Sequence, residues 1–205
     1  MFEFFQKGGV LMYPLLACSI ISLAVIVERL YFYSRLSRHH GTTDLMDEIK
    51  RKITQHRVSE AIAICEADPF PLAKVIREGL LRFEKGWAVM QDSMEEAGQE
   101  IVPQLERFLP ILALLTSVSP LLGFTGTVFG MIEAFNSIAQ ANISSPAIVA
   151  SGIAQALITT AAGLVIAIPT MIFYHYFRRR VDSFVSEIEK NSTALVNLIK
   201  YGELR

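Results

Sequence analysis

In the middle of two long apolar runs between residues 108 and 177, the side chains able to do chemistry are hydroxyls and one amide. Thr116, Ser119, Thr125, Thr127, Ser151, Gln155, Thr159 and Thr160 stand among small residues, while Glu133 is the single formal charge and His175 a second ionisable group near the far end. Hydroxyls and a carboxamide can hydrogen-bond a water or an ion, but they do not take up and release a proton. A proton crossing this stretch needs a titrating group from elsewhere or a continuous wire of water. On a helical wheel of about 100° per residue, Thr116, Ser119, Gly123, Thr127 and Gly130 fall within roughly 80° of one another. Gln155, Thr159, Gly152 and Gly163 share a second face, with Thr160 at its margin.

The elements that position these faces are membrane spans. Residues 108–132 and 134–174 carry no charge, and the second run exceeds the roughly 20 residues that a spanning helix needs. A third apolar run, 10–33, is interrupted only by Glu28 and Arg29, and Pro14 sits in its first turns, where a missing amide costs little. A hydrophobic content of 52% and a mean hydropathy of +0.39 fit an integral membrane protein. A cleavable signal peptide does not fit, because the first run is too long, its head is scarcely basic and no small-x-small site follows. Some of the polarity in the spans must face protein or water.

Basic residues set the expected orientation. Arg29, Arg35 and Arg38 follow the first span, Arg178, Arg179 and Arg180 follow the third, and the short connection 136–147 has no Lys or Arg. The expected plan is a head at 1–9, spans at 10–33, 108–138 and 148–177, a short outer loop at 139–147, and cytoplasmic stretches at 34–107 and 178–205. The head, with Phe2, Phe4 and Phe5, could lie in the interface. Glu133 falls near the outer interface, where two readings stay open: a solvated carboxylate, or a proton entrance. His175 and Tyr174 read as interface anchors.

Residues 34–107 read as helices. Thr42 or Thr43 can cap one whose first turns hold Asp44, Asp47 and Glu48. A second, 58–67, ends at Asp68-Pro69-Phe70-Pro71. A third starts at Pro71, buries Leu72, Val75, Ile76, Leu80 and Phe83, and stops near Gly86. A fourth runs from Trp87 through Leu105 straight into the apolar run, bent at Pro103, Pro110 and Pro120. No Gly/Ser linker marks a domain boundary. Past Arg180 an apolar stripe through Val181, Phe184, Val185, Ile188, Leu195, Leu198 and Ile199 continues the last helix, so that 148–200 would be about 80 Å long. The fold class is all-α, with three transmembrane helices, long cytoplasmic extensions and a stripe that wants a partner in a bundle or ring.

A net charge of −1 gives no footprint for nucleic acid. Cys18 and Cys65 imply no disulfide framework and read as inert packing residues. No nucleophile-base pair, metal-ligand cluster or phosphate loop stands at usable spacing, so neither an enzyme nor a cofactor is expected.

The run Ser119-Pro120-Leu121-Leu122-Gly123-Phe124-Thr125-Gly126-Thr127-Val128-Phe129-Gly130-Met131-Ile132 resembles one signature block of the MotA/TolQ/ExbB proton-channel family. Gly152-Ile153-Ala154-Gln155-Ala156-Leu157-Ile158-Thr159-Thr160-Ala161-Ala162-Gly163-Leu164, followed by Ala167-Ile168-Pro169, resembles the other. Order and spacing agree, and three spans resemble the TolQ and ExbB branch rather than the four-span flagellar stators. The resemblance implies an inner-membrane ring, typically a pentamer, around a small single-span partner similar to ExbD or TolR that supplies a membrane aspartate, with a TonB- or TolA-like protein as a further partner and lipid around it. It implies proton flow that energises work at the outer membrane, with Thr127 and Thr160 lining the path; Thr159, Gln155 and Glu133 are this chain's further candidates along it. At 1.5 Å per residue the two threonines fall at similar depth. Where this branch often carries a glutamate, the chain has Gln155.

Other readings remain. Threonines in membrane helices also bond their own helix or a neighbour, and Gly123, Gly126, Gly130, Gly152 and Gly163 read as close-packing surfaces. A sodium-driven machine of the same kind and a passive membrane scaffold are the alternative functions.

Overall fold

The computed structural model of the chain describes residues 5, 8–38, 42–141 and 146–201, and every regular element among them is helical. In chain order these are α1 (Met12–Arg38), α2 (Thr42–Thr54), α3 (Val58–Ala67), α4 (Pro71–Leu80), a 3₁₀ turn (Phe83–Lys85), α5 (Trp87–Glu106), α6 (Leu109–Ala141) and α7 (Pro146–Tyr201). The expected interfacial contacts of Phe2 and Phe4 lie outside the described residues, as do the tip of the outer loop at 142–145 and the side chains of Thr42 and Thr43. The chain forms two compact units, Met1–Leu30 with Phe108–Phe177, and Tyr31–Arg107 with Arg178–Arg205. α1 and α7 contribute residues to both.

The first unit is built from helices whose outward faces are themselves apolar. Three helical stretches, Met12–Leu36, Leu109–Ala139 and Val149–Tyr201, are long and apolar enough to cross a membrane. Leu121, Phe124, Leu157, Val165 and Ile172 are exposed, whereas the inward positions of α6 and α7 hold small residues. A helix that is apolar outside and small inside suits lipid on one side and a close neighbour on the other. On α1 the buried face runs Leu15, Cys18, Ser22, Ile26 and Arg29, at spacings of three and four. Arg29 is only 2% exposed; Glu28 accepts two hydrogen bonds from its guanidinium, which also lies 5.4 Å from the centre of the Phe108 ring.

The expectation of one helix running from Trp87 into the apolar run is corrected. α5 closes at Glu106, Arg107 takes a ψ of 131° and Phe108 a φ of 69° before α6 begins. Pro110 is the reason, since it lacks an N–H and is accommodated at low cost only in a first turn. The break puts it there. Pro103 and Pro120 remain inside helices. α4 likewise stops at Leu80, short of the expected Gly86, and Phe83 is half-buried in the 3₁₀ turn. Gly86 then adopts a φ of 100°, where a side chain would be strained, and starts α5. α7 is continuous for 56 residues, about 84 Å.

The second unit has a conventional core. Ile49, Ile53, Leu72, Ile76, Leu80, Met90 and Leu105 are fully or almost fully buried, each contributing about 1.5–3 kcal/mol. Tyr33 donates its hydroxyl to the Leu105 carbonyl at 2.8 Å and stacks on Phe184, which also meets Phe70 edge-on. Lys52 donates to the Glu60 carboxylate at 2.6 Å and, with Arg57, holds it below the usual carboxylate range. That small contribution is present above the ordinary range and is lost as pH falls through the depressed value.

Burial, reinforced by Asp68, pushes the Cys65 thiol from 9.0 up to about 12. In a Cys18→Ser background the folded protein at pH 8 therefore carries about a thousandfold less thiolate at Cys65 than an ordinary thiol would. Alkylation by iodoacetamide, followed by intact mass, is expected to be slow until denaturant is added. Rapid labelling of the folded chain would contradict the burial.

Candidate functional site: the seam between two apolar helices

α6 and α7 meet along small residues, and the contact is backbone to backbone. On α6 the buried line is Ser119, Gly123, Gly126, Gly130 and Ala134; on α7 it is Gly152, Ala156, Thr159 and Gly163. A methyl group at Gly163 would stand 2.6 Å from the Ser119 carbonyl oxygen, and one at Gly123 would stand 2.9 Å from that of Thr159. At Gly130 the nearest atom is the Gly152 carbonyl oxygen, 2.9 Å away. A side chain at Gly126 would overlap that of Thr159. The five glycines thus let the helices approach closely.

This seam fixes the threonines. Thr160 donates its hydroxyl to the Gly123 carbonyl across the seam at 3.1 Å, and Thr127 donates to the Phe124 carbonyl of its own helix at 2.6 Å. Gly123 and Phe124 are successive residues, so the two hydroxyls sit within one turn of α6. With its hydrogen engaged, each oxygen keeps a lone pair for a water or for a protonated acid. Both residues are half-buried. Thr159 is 1% exposed and bonds back to the carbonyls of Gln155 and Ala156, with its hydroxyl side packed on Gly126. Thr116 and Thr125 also bond their own helix, at Ala113 and Leu121. Ser119 is fully buried, and its hydroxyl has no hydrogen-bond partner among the described residues.

Gln155 and Glu133 lie together, nearer the α6–α7 connection than Thr127 and Thr160. The Gln155 Nε2 is 3.5 Å from the Glu133 Oε2, long for a hydrogen bond. Both line a cavity of about 610 Å³ that Gly8, Leu11, Gly126 and Asn136 also border. Sequence reasoning missed the amino-terminal wall of this cavity. Gly9 has a φ of +71°, and a side chain there would run into the Gln155 amide. The paired glycines just before the first apolar run were its available signal. Among the described residues no three His, Cys, Asp or Glu side chains cluster as a metal site.

The profile of the MotA/TolQ/ExbB proton channel family matches residues 67–190, which include all of α6 and every seam residue of α7. The chain belongs to this family. It is similar to a putative biopolymer transport protein ExbB-like 3 of Synechocystis sp., with 30% identity over 84% of this chain and 82% of that protein. It is also similar to the biopolymer transport protein exbB1 of Vibrio cholerae, at 32% identity over 90% and 82% of the two chains. A Tol-Pal system protein TolQ of Pseudomonas aeruginosa shares 44% identity over a shorter stretch, 40% of this chain and 36% of that one. Together with its three long apolar helices, membership makes this a membrane protein of a proton channel family.

The seam has a direct test in stability. Gly163→Val places branched carbon against the Ser119 carbonyl and is expected to cost about 1–3 kcal/mol by overpacking. Gly98→Ala, inside α5 with open space where the Cβ would stand, is expected to stabilise by up to about 1 kcal/mol. Thermal unfolding in detergent separates the two. Equal midpoints would mean that the helices are not in backbone contact.

Proposed function

We propose that this chain is the multi-span stator subunit of a motor driven by the proton-motive force. It assembles as a homo-oligomeric ring, a pentamer by resemblance, around a small ExbD- or TolR-like partner with one membrane helix. α1, α6 and the first part of α7 cross the bacterial inner membrane. The amino terminus lies on the periplasmic side, and residues 34–107 and 178–205 lie in the cytoplasm. The arginines after the first and third spans support that orientation. Work delivered through a TonB- or TolA-like protein would energise transport or envelope processes at the outer membrane.

The observation that carries this reading is the pair of hydroxyls on successive carbonyls of α6. Both oxygens are left as acceptors, which suits a protonated aspartic acid entering from a partner helix. The carboxyl donates to Thr127 or Thr160 while neutral and loses those bonds when ionised. The chain's own spans have no carboxylate at that depth, so the aspartate has to come from the partner. Thr159, Gln155 and Glu133 continue the polar line toward the outer side. Each proton moved through 100 mV supplies about 2.3 kcal/mol, so a mechanical step uses several.

Thr127→Ala combined with Thr160→Ala removes both acceptors while leaving the seam glycines in place. Proton flux into vesicles holding the chain and its single-span partner is expected to fall at least about tenfold. Unchanged flux would remove the threonines from the path. Function without any flux in the parent would favour a passive scaffold, and flux that requires sodium would favour a sodium-driven machine.

A further inference from the structure

The cavity at the outer end of α6 and α7 holds chemistry that the threonines do not. Between residues 108 and 177 Glu133 is the single formally charged side chain, and among the described residues lining the cavity it is the one titratable group. The side chain facing it, from the other helix, is the Gln155 carboxamide at 3.5 Å. A carboxamide orients a carboxylate but carries no exchangeable charge. With about 610 Å³ of space, the cavity can hold a cluster of waters between the carboxylate and the seam. Gly126 borders the cavity, and the Thr159 side chain packs directly on it, so the cavity ends against the seam one residue from Thr127. Glu133 stands six residues along α6 from Thr127, about 9 Å. Waters in the cavity would have to bridge that span.

We propose that Glu133 is the group of this chain that takes up and releases the transported proton, that Gln155 positions it, and that the pair is exchangeable across the two helices. This rests on the proton-stator reading above and assigns a role within it. The step involves only an O–H bond: the carboxylate binds a proton arriving from the outer side, and the acid passes one to the water cluster toward Thr127 and Thr160. Gln155 touches no transported proton; its amide nitrogen faces the carboxylate at 3.5 Å and orients it beside the cavity. Since the two side chains meet from opposite helices, a carboxylate carried by α7 and an amide carried by α6 occupy the same place. Exchanging them conserves both partners.

The test uses the full chain with its single-span partner in vesicles of phosphatidylethanolamine and phosphatidylglycerol, with an imposed pH gradient followed by a pH-sensitive dye. Glu133→Gln is expected to lower flux at least about tenfold. The exchanged variant, Glu133→Gln with Gln155→Glu, is expected to return to within about threefold of the parent. A purely structural pair would also be restored by the exchange, but its disruption in Glu133→Gln would show as lost assembly rather than as lost flux through an assembled complex. Retention of the partner on native mass spectrometry checks that Glu133→Gln remains assembled, and loss of the partner there would overturn the proposal. Parental flux in Glu133→Gln, or an assembled exchanged variant as slow as Glu133→Gln, would overturn the proposal and leave the stator reading standing. A parent without flux would overturn the stator reading and this assignment together.

Discussion

Everything in the membrane unit depends on α6 and α7 touching at their backbones. Lipid is as apolar as leucine, so two apolar helices gain nothing by hiding from it and associate through packing and hydrogen bonds. Glycine at positions 123, 126, 130, 152 and 163 brings carbonyls of one helix against Cα atoms of the other. That approach lets the Thr160 hydroxyl reach a carbonyl on the facing helix. A bulkier seam would put it out of range. Close packing and site geometry are therefore one property of these residues.

The same constraint explains why the membrane unit leaves so much apolar surface open. Small residues face inward and large ones outward, so that Phe124, Phe129, Phe135, Leu157 and Ile168 are left exposed, as suits a membrane helix. The second unit follows ordinary globular rules, with large aliphatic side chains inside and ion pairs outside. Different solvents account for the difference. α1 and α7 run through both environments, and α7 exchanges a glycine-lined face for a stripe through Val181, Ile188 and Leu195 along one helix.

Much of this was legible in the residues themselves. Charge-free runs and helical periodicity located the long helices, and the wheel put Ser119, Gly123 and Gly130 on the face that is buried, with Gly152, Thr159 and Gly163 opposite. Prolines also marked the end of α3 and the start of α4. The break at Phe108 was not legible, because it depends on where Pro110 falls relative to the first turn, and the composition of 87–132 reads as one helix. Nor did Arg29 read as more than a topology signal, although it is buried against Glu28 and Phe108. Periodicity within one helix says nothing of which partner fills its face. The pairing of Gln155 with Glu133 and the Gly9 turn was hidden for the same reason.

The central claim is that the hydroxyls of Thr127 and Thr160 face an enclosed partner helix. Native mass spectrometry of the detergent-solubilised chain, expressed alone and then with its small single-span neighbour, addresses that enclosure most directly. The account predicts a closed oligomer of the chain, a pentamer by family resemblance, that retains the neighbour. A monomer that ignores the neighbour would contradict it, since no enclosed path could then form.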